Sequence, residues 1–480
     1  MRRGPDWTGR QRLFCGAITV ALLLSTAACT AAQLPSAANS TTDTTSSTSA
    51  PSTQASALPT AEASSVVTPA ADAAATLSYV TDPPATPTAA PVALSSVSPL
   101  ASGKWTSIHW THVATPPAFA LVSANPLGFG GFKVFGWSRG YVAFDEGYTA
   151  DTSSNTSNFR TFSSTDGVHW QSGQVVTFGG SIYISGVVEG PAGLLAVGTY
   201  IPGVCGGSPD VAAVWRSTDG ATWRQVAVFS VDAGDIDGGS AGYIATGNLS
   251  RNANAAWVSS DGANWKHVDL TADTFKGVQV IESGTAFAGG YVMAGAALGE
   301  PSGCGGGQAA ITGALWWSAD GTAWSRDSLS GTTPGDEITM SVSRINDHAL
   351  LASESSYASS TEATVSSYWT STDGRTWRSA SPPSTASSYP PISVLTNGQR
   401  GLELVPPSLV YGVSGFQTGQ VSPSQIYAFD DDLSLVKLAQ TGDTPDDAWA
   451  NESTTQALGP TGLVVMSSDG SSLWLGVPGS

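Results

Sequence analysis

Charge is scarce in this 480-residue chain, where Asp, Glu, Lys and Arg together make up 12%. Cations are the scarcer sign, 19 against 37 acidic residues, for a formal net charge of −18. The first twelve residues hold four Arg against one Asp, which leaves the remainder at −21. A chain so poor in Lys and Arg has no basic stripe to displace the counterions of nucleic acid, and nucleic acid is excluded as a partner. Unaided adsorption to anionic lipid is excluded for the same reason. Sustained helical periodicity is missing beyond Lys104, so a helical fold is not expected. There is no phosphate loop and no Gly-x-Ser-x-Gly nucleophile elbow. The five His (His109, His112, His169, His267, His348) show no ligand spacing, so no metal and no cofactor is expected.

Glycine and tryptophan, by contrast, are abundant, at 54 and 16 residues. Few charges, many Gly and many aromatics suit an all-β protein with tight turns. The chain reads in three parts. Residues 1–28 form a targeting segment, with Arg2, Arg3, Arg10 and Arg12 ahead of a short apolar run from Leu13 to Ala28. Residues 29–103 are rich in Ser, Thr, Ala and Pro, with almost no aromatics. Such a segment buries too little apolar area to offset the entropy of ordering, and a disordered stalk is expected. Residues 104–480 carry alternating apolar runs and Gly-rich turns.

One phrase organises this last part. Ser-x-Asp-Gly-x-x-Trp occurs with Asp166 and Trp170, Asp219 and Trp223, Asp261 and Trp265, Asp320 and Trp324, and Asp373 and Trp377. The Asp-to-Asp steps are 53, 42, 59 and 53 residues, a period that indicates a repeat architecture. Asp-Gly between apolar runs is a hairpin signal, because Gly accepts positive φ and Asp caps its own turn. A second phrase, two apolar runs around a Gly turn, precedes each copy, as in Val187–Gly198 and Phe287–Gly295. Each unit therefore has strands A and B, a variable loop, strand C, the Asp-Gly turn and strand D, which together make a propeller blade. In a degenerate sixth unit Asp431 holds the place of the turn Asp. Ser468-Asp469-Gly470 falls at a B–C hairpin, ahead of strand C at Leu473–Val477. Strand D of that last unit is supplied from the N-terminus, by Trp105–Val113, with Trp110 in the place of Trp170. A seven-bladed β-propeller follows, with six or eight blades as the alternatives.

The phrase resembles the Asp-box, or BNR repeat, of sialidases and their non-sialidase relatives, over roughly residues 105–480. In that family the box is the turn between the third and fourth strands of a blade, on the face away from the active site. The resemblance implies the fold and says little of activity. Sialidases hold the substrate carboxylate with three Arg and carry an Arg-Ile-Pro motif. Here the nearest string is Arg344-Ile345-Asn346, and most Arg flank the boxes. The N-terminal Leu24-Ser25-Thr26-Ala27-Ala28-Cys29 resembles a bacterial lipobox, with Thr26 where Leu is commonest. It implies lipidation of Cys29 and an outward-facing membrane anchor. A plain secretory signal cut near Ala27 or Ala28 is the alternative.

Variable loops on a rigid scaffold are where binding is expected. On the face opposite the boxes the candidates are Asp145, Glu146, Tyr148, Tyr200, Arg251, Arg344, Tyr357 and Trp449. Further carboxylates, Glu354 among them, are expected there as an acidic rim. Cys205 and Cys304 lie in equivalent loops of the second and fourth units, so a disulfide between them is expected, two separate thiols being the alternative. The function expected is a non-catalytic binding or scaffolding module for a glycan or envelope protein, acting as a monomer. The alternative is a divergent exo-glycosidase.

Overall fold

The computed structural model describes residues 105–116, 119, 131–145, 157–178, 180–202, 211–229, 232–250, 253–298, 311–327, 329–358, 363–380, 393–396, 401–405, 425–445 and 454–479, all within one compact unit, Pro91–Ser480. The targeting segment, the stalk, Cys29, Cys205 and Cys304 lie outside the described residues.

The protein is an all-β propeller. Its strands form six four-stranded sheets and one five-stranded sheet. Blade 1 runs through Phe132–Trp137, Gly140–Asp145, Ser157–Ser164 and Gln171–Phe178. Blade 2 uses Gly180–Gly190, Gly193–Pro202, Val211–Ser217 and Arg224–Phe229. Blade 3 uses Asp232–Gly239, Gly242–Ser250, Ala253–Ser259 and Lys266–His267. Blade 4 comprises Val278–Phe287, Gly290–Leu298, Ile311–Ser318 and Ser325–Asp327. Blade 5 comprises Glu337–Asn346, Ala349–Ala358, Ala363–Ser371 and Arg378–Ala380, and blade 6 Ser393–Thr396, Gly401–Val405, Gln425–Phe429 and Leu435–Lys437. In each, strands A to D are consecutive and antiparallel. Successive A strands touch one another around the ring, and Thr454–Leu458 of the five-stranded sheet touches both blade 6 and blade 1.

The closing sheet joins the two ends of the domain. Ser107–Val113 pairs antiparallel with Leu473–Pro478, as expected for an N-terminal strand completing the last unit. A further strand, Ala439–Gly442, then adds parallel to the outer side of Ser107–Val113. The expectation of seven blades is corrected to six, one of its alternatives: six sheets are four-stranded meanders of consecutive chain, and a five-stranded composite sheet, completed by the N-terminal strand as expected, closes the ring. Covering the outer side of Ser107–Val113 leaves less bare strand edge for other chains to pair with. Trp110 is also reassigned. It sits inside its strand opposite Gly476, and its indole N–H donates to Gln440 Oε1 at 3.0 Å rather than to a box carbonyl.

The core consists of layers between blades. Trp137, Val142 and Phe144 of blade 1 pack with Leu194, Trp215 and Trp223 of blade 2, and the pattern repeats at the next three seams. Each box seals one such layer. In the first, Ser164 Oγ accepts the Gly167 N–H at 2.9 Å, while Asp166 Oδ1 accepts from Val168 N and His169 N at 2.9 and 2.8 Å. The Trp170 indole N–H donates to the Gly167 carbonyl at 3.1 Å. The same bonds recur around Asp219, Asp261, Asp320 and Asp373. The box Gly has φ between 71° and 79° in all five, a region costly for any residue with a Cβ. It also lies against the preceding blade: a Cβ on Gly220 would sit 2.7 Å from Val142 Cγ1.

Two turns refine the sequence reading. Asp469 accepts from Ser471 N at 2.9 Å, and Gly470 has φ 70°, so a box-like turn does form. It lies between Leu463–Ser467 and Leu473–Pro478, at the B–C position expected for it. In blade 6 the capping carboxylate is Asp430, not Asp431. Asp430 Oδ1 accepts from Asp432 N and Ser434 N at 3.0 and 2.8 Å, and Leu433 takes the positive φ of 60°.

Candidate functional site

An A strand at the centre of a propeller has one unpaired backbone edge, and buried N–H and C=O groups need partners. Here the neighbouring blade supplies them. Val134 N donates to Thr455 Oγ1 at 3.0 Å, and Val342 N to Ser283 Oγ at 2.8 Å. Lys133 Nζ donates to the Ile184 carbonyl at 2.6 Å, and Thr396 Oγ1 to that of Ile345 at 3.0 Å.

At the seams on either side of blade 4 carboxyl groups share this work, beside Ser283 at the seam with blade 5. Asp235 of blade 3 accepts the Gly284 N–H of blade 4. Glu282 of blade 4 accepts the Met340 N–H of blade 5. Asp237 accepts from Thr285 Oγ1 of blade 4 and, at 2.8 Å, from Gly238 N. These groups are deeply enclosed by protein, yet each keeps part of its surface accessible. Enclosure is the first cause of their shifted acidity, because it strips water from the charged form. Burial, with the charge of Asp237, pushes Asp235 up to about 6 against the N–H bonds of Gly284 and Ile236. Burial, with the charge of Glu337, pushes Glu282 up to about 7 against the Met340 bond. Asp237 is raised by burial as well, although the Arg344 guanidinium and the Thr285 hydroxyl oppose the shift.

The box-side end of these strands is tied across. Asp347, in the A–B turn of blade 5, accepts from Ser240 N of blade 3 at 2.9 Å, and its carbonyl accepts from Ala288 N of blade 4 at 2.8 Å. Arg344 Nη1 lies 3.8 Å from Asp347 Oδ1, and the residue is only 7% exposed. This position corrects the expectation for Arg344. It precedes an A–B turn, so it stands at the box end of the ring rather than at the loop end.

The other candidates are scattered. Asp145 is buried at the loop end of blade 1, paired with Phe132 and Arg160. Tyr357 is half-buried at the loop end of blade 5, opposite Glu337. Tyr200 is placed by its backbone between Ile182 and Val211. Glu146, Tyr148, Arg251 and Trp449 lie outside the described residues. Glu354 is no rim residue. It is 1% exposed, its Oε1 accepts from Thr333 N at 2.9 Å, and burial raises its pKa against that bond and the Gly313 N–H. Among the described residues no three His, Cys, Asp or Glu side chains come together as a metal site.

Asp235, Asp237 and Glu282 do not stand out as a group in the sequence. Their signal is carboxylates within A strands, at positions where Ser283 and Thr455 do the same work without charge.

No family model and no curated protein matches the chain. Among solved structures it is similar to the α-L-arabinofuranosidase Arb93A from Fusarium graminearum in complex with an iminosugar inhibitor, at 16% identity and a TM-score of 0.31, covering 63% of this chain and 92% of that one. It is similar to a Bombyx mori GH32 β-fructofuranosidase at 11% identity and a TM-score of 0.28, over 75% and 93% of the two chains. It is also similar to the N-terminal domain of Nup159 at 10% identity and a TM-score of 0.32, over 72% and 95%. At these scores the likeness assigns no activity.

Proposed function

We propose that the chain is a non-catalytic binding or scaffolding propeller, held at the cell envelope by a lipid on Cys29 and a stalk, which recognises a glycan or an envelope protein through the face opposite the boxes. The observation that carries this reading is an asymmetry of connections. On the box face the A–B turns of blades 1 to 5 are residues 138–139, 191–192, 240–241, 288–289 and 347–348. At the opposite ends of the same strands, B and C are separated in sequence by the longer stretches 146–156, 203–210, 299–310 and 406–424, which lie outside the described residues. Long stretches of chain joining the ends of ordered strands suit recognition. The inner carboxyls meanwhile are engaged in holding blades together.

One observation favours the hydrolytic alternative. A carboxyl that keeps its proton near neutral pH is what a general acid requires, and Asp235 and Glu282 are both raised into that range. A glycan array and a panel of fluorogenic glycosides on the purified chain separate the two readings. Binding without turnover is expected. Turnover lost in Glu282→Gln or Asp235→Asn, with the fold retained, would replace the binding-module reading. The same material tests the disulfide: mass spectrometry of the unreduced protein is expected to show Cys205 linked to Cys304, and two alkylatable thiols would remove that bridge.

A further inference from the structure

Each box packs on the blade before it, and the residues that meet there differ from seam to seam. At the first seam Ser163 and Gly173 of blade 1 border the turn of Gly220 and Ala221. A Cβ on Gly220 would lie 3.8 Å from Ser163 Cβ, and one on Gly173 would lie 2.7 Å from the Ala221 carbonyl oxygen. The residues at the matching places are Arg216, Val226 and Ala263 at the second seam, and Val258, Val268 and Thr322 at the third. Between blades 4 and 5 they are Trp317, Asp327 and Arg375. Trp317 pairs with Ser325 and Leu315 with Asp327, so Trp317 and Asp327 are diagonal neighbours on one face of blade 4, within reach of an aromatic side chain. A Cβ on Gly374 would lie 2.8 Å from Trp317 Cδ1. The Arg375 guanidinium lies over the Trp317 ring, 4.8 Å from its centroid. Trp317 Nε1 and Asp327 Oδ2 are both buried, and neither has a hydrogen-bond partner among the described residues, whereas buried polar groups are as a rule paired. Arg375 is exposed.

We propose that this outer seam is a saccharide subsite, in which a sugar hydroxyl accepts from the Trp317 N–H and donates to Asp327 Oδ2, while the Arg375 guanidinium donates to the neighbouring hydroxyl. The set of donors and acceptors selects the ligand. An indole N–H can only donate, and an ionised carboxylate can only accept. An anion would leave Asp327 unpaired and meet its charge. An ammonium group would leave the indole N–H unpaired and meet Arg375. A hydroxyl satisfies both buried groups at once, and an adjacent hydroxyl adds the bond to Arg375. Trp317 and Asp327 are fixed on strands C and D of blade 4. Arg375, the exposed member, is the wall that swings aside to admit a ring and then closes on it. Burial pushes Asp327 up to about 6, with the Asp373 charge adding to it and the Arg375 charge opposing it, so at neutral pH it is the acceptor this arrangement needs. The subsite stands on the box side, apart from the loop face proposed above, and does not depend on that reading.

Titration of the full chain, isotope-labelled at the tryptophan indole nitrogens, with free pentoses and hexoses tests the subsite by magnetic resonance, with acetate and ammonium ions as single-function probes. Trp317→Phe assigns the Trp317 N–H resonance. That resonance is expected to shift saturably with at least one sugar and to stay in place with acetate and ammonium. Asp327→Ala is expected to weaken the binding by about 10-fold or more, and Arg375→Ala by about 3- to 10-fold. Arg375→Ala decides the matter if Asp327→Ala does not fold, since that side chain is at the surface. No shift with any sugar, the result if water alone occupies the seam, would overturn the proposal. So would a shift produced only by acetate or ammonium, or binding unchanged in a folded variant. Sugars that bind on the glycan array but leave the Trp317 resonance unmoved would remove this subsite and leave the loop-face reading standing.

Discussion

The box aspartates and the carboxyls at the ring centre are the same chemistry in two settings, and their acidity moves in opposite directions. Asp261 is held below the usual carboxylate range by the N–H groups of Asn264 and Ala263 and by the Asn264 side chain. At Asp219 burial works against ionisation, yet the N–H groups of Thr222 and Ala221 and the Ser217 hydroxyl outweigh it. At Asp235 and Glu282 burial wins, because each has few donors and a like charge nearby. The lesson is that a turn concentrates N–H donors on one oxygen beside water, whereas a seam offers few donors per carboxyl and little water. Box aspartates thus act as fixed anions and seam carboxyls as proton acceptors.

The largest effect is expected where the box depends on backbone shape. Gly220→Ala puts a Cβ at φ 75° and 2.7 Å from Val142 Cγ1, and a loss of about 2–4 kcal/mol by denaturant unfolding is expected. Gly331 supplies the control. Its φ is 85° and nothing lies near its would-be Cβ, so Gly331→Ala is expected to lose only the strain, about 1–2 kcal/mol. Equal losses at the two sites would show that packing on the preceding blade adds nothing to the box.

Next in size is the seam. Glu282→Gln keeps the shape and removes the ionisation, so it is expected to stabilise the protein by about 1–3 kcal/mol at pH 8 and by less than about 1 kcal/mol at pH 5. A stabilisation that is the same at both pH values would show that desolvation of charge is not what distinguishes the seam.

These settings are not equally legible in the sequence. The box turns, the strands on either side of them, the N-terminal closing strand and the B–C place of Ser468-Asp469-Gly470 can all be read, because each rests on local turn chemistry or on alignment of units. The seam carboxyls cannot, since which residue of an A strand meets the next blade is decided only when the ring closes. Asp431 stands in for Asp430 in the sequence reading because Leu433, a residue that rarely takes positive φ, supplies the place of Gly. Trp110 resembles a box Trp because the strand of Gln440 has no counterpart in the other units. Arg344 falls at the wrong end for want of one fact, that its strand runs on to Asn346 before turning.

Asp219→Ala is a smaller test. It leaves the N–H groups of Ala221 and Thr222 and the Ser217 hydroxyl without their acceptor, so a loss of about 1–2 kcal/mol is expected at pH 7. A group with a depressed native pKa contributes above its unfolded value and stops contributing as pH falls through the native one. The variant and wild type should therefore converge in strong acid, the reverse of the Glu282 pair.

The smallest effect is expected at the other oxygen of a box carboxylate. Oδ1 has the same two backbone donors in every box, but the partner of Oδ2 changes: His169 Nδ1 at 2.7 Å, Asn264 Nδ2 at 2.6 Å and Thr322 Oγ1 at 2.7 Å. These partners lie at the surface, and the His169 side chain is 86% exposed. An exposed pair that water can replace contributes little, so His169→Ala is expected to change stability by less than about 0.5 kcal/mol. If it cost as much as Asp219→Ala, the stability of a box would reside in the surface partner of its second oxygen. The contrast between turn and seam would then be one of charge partners, not of backbone donors.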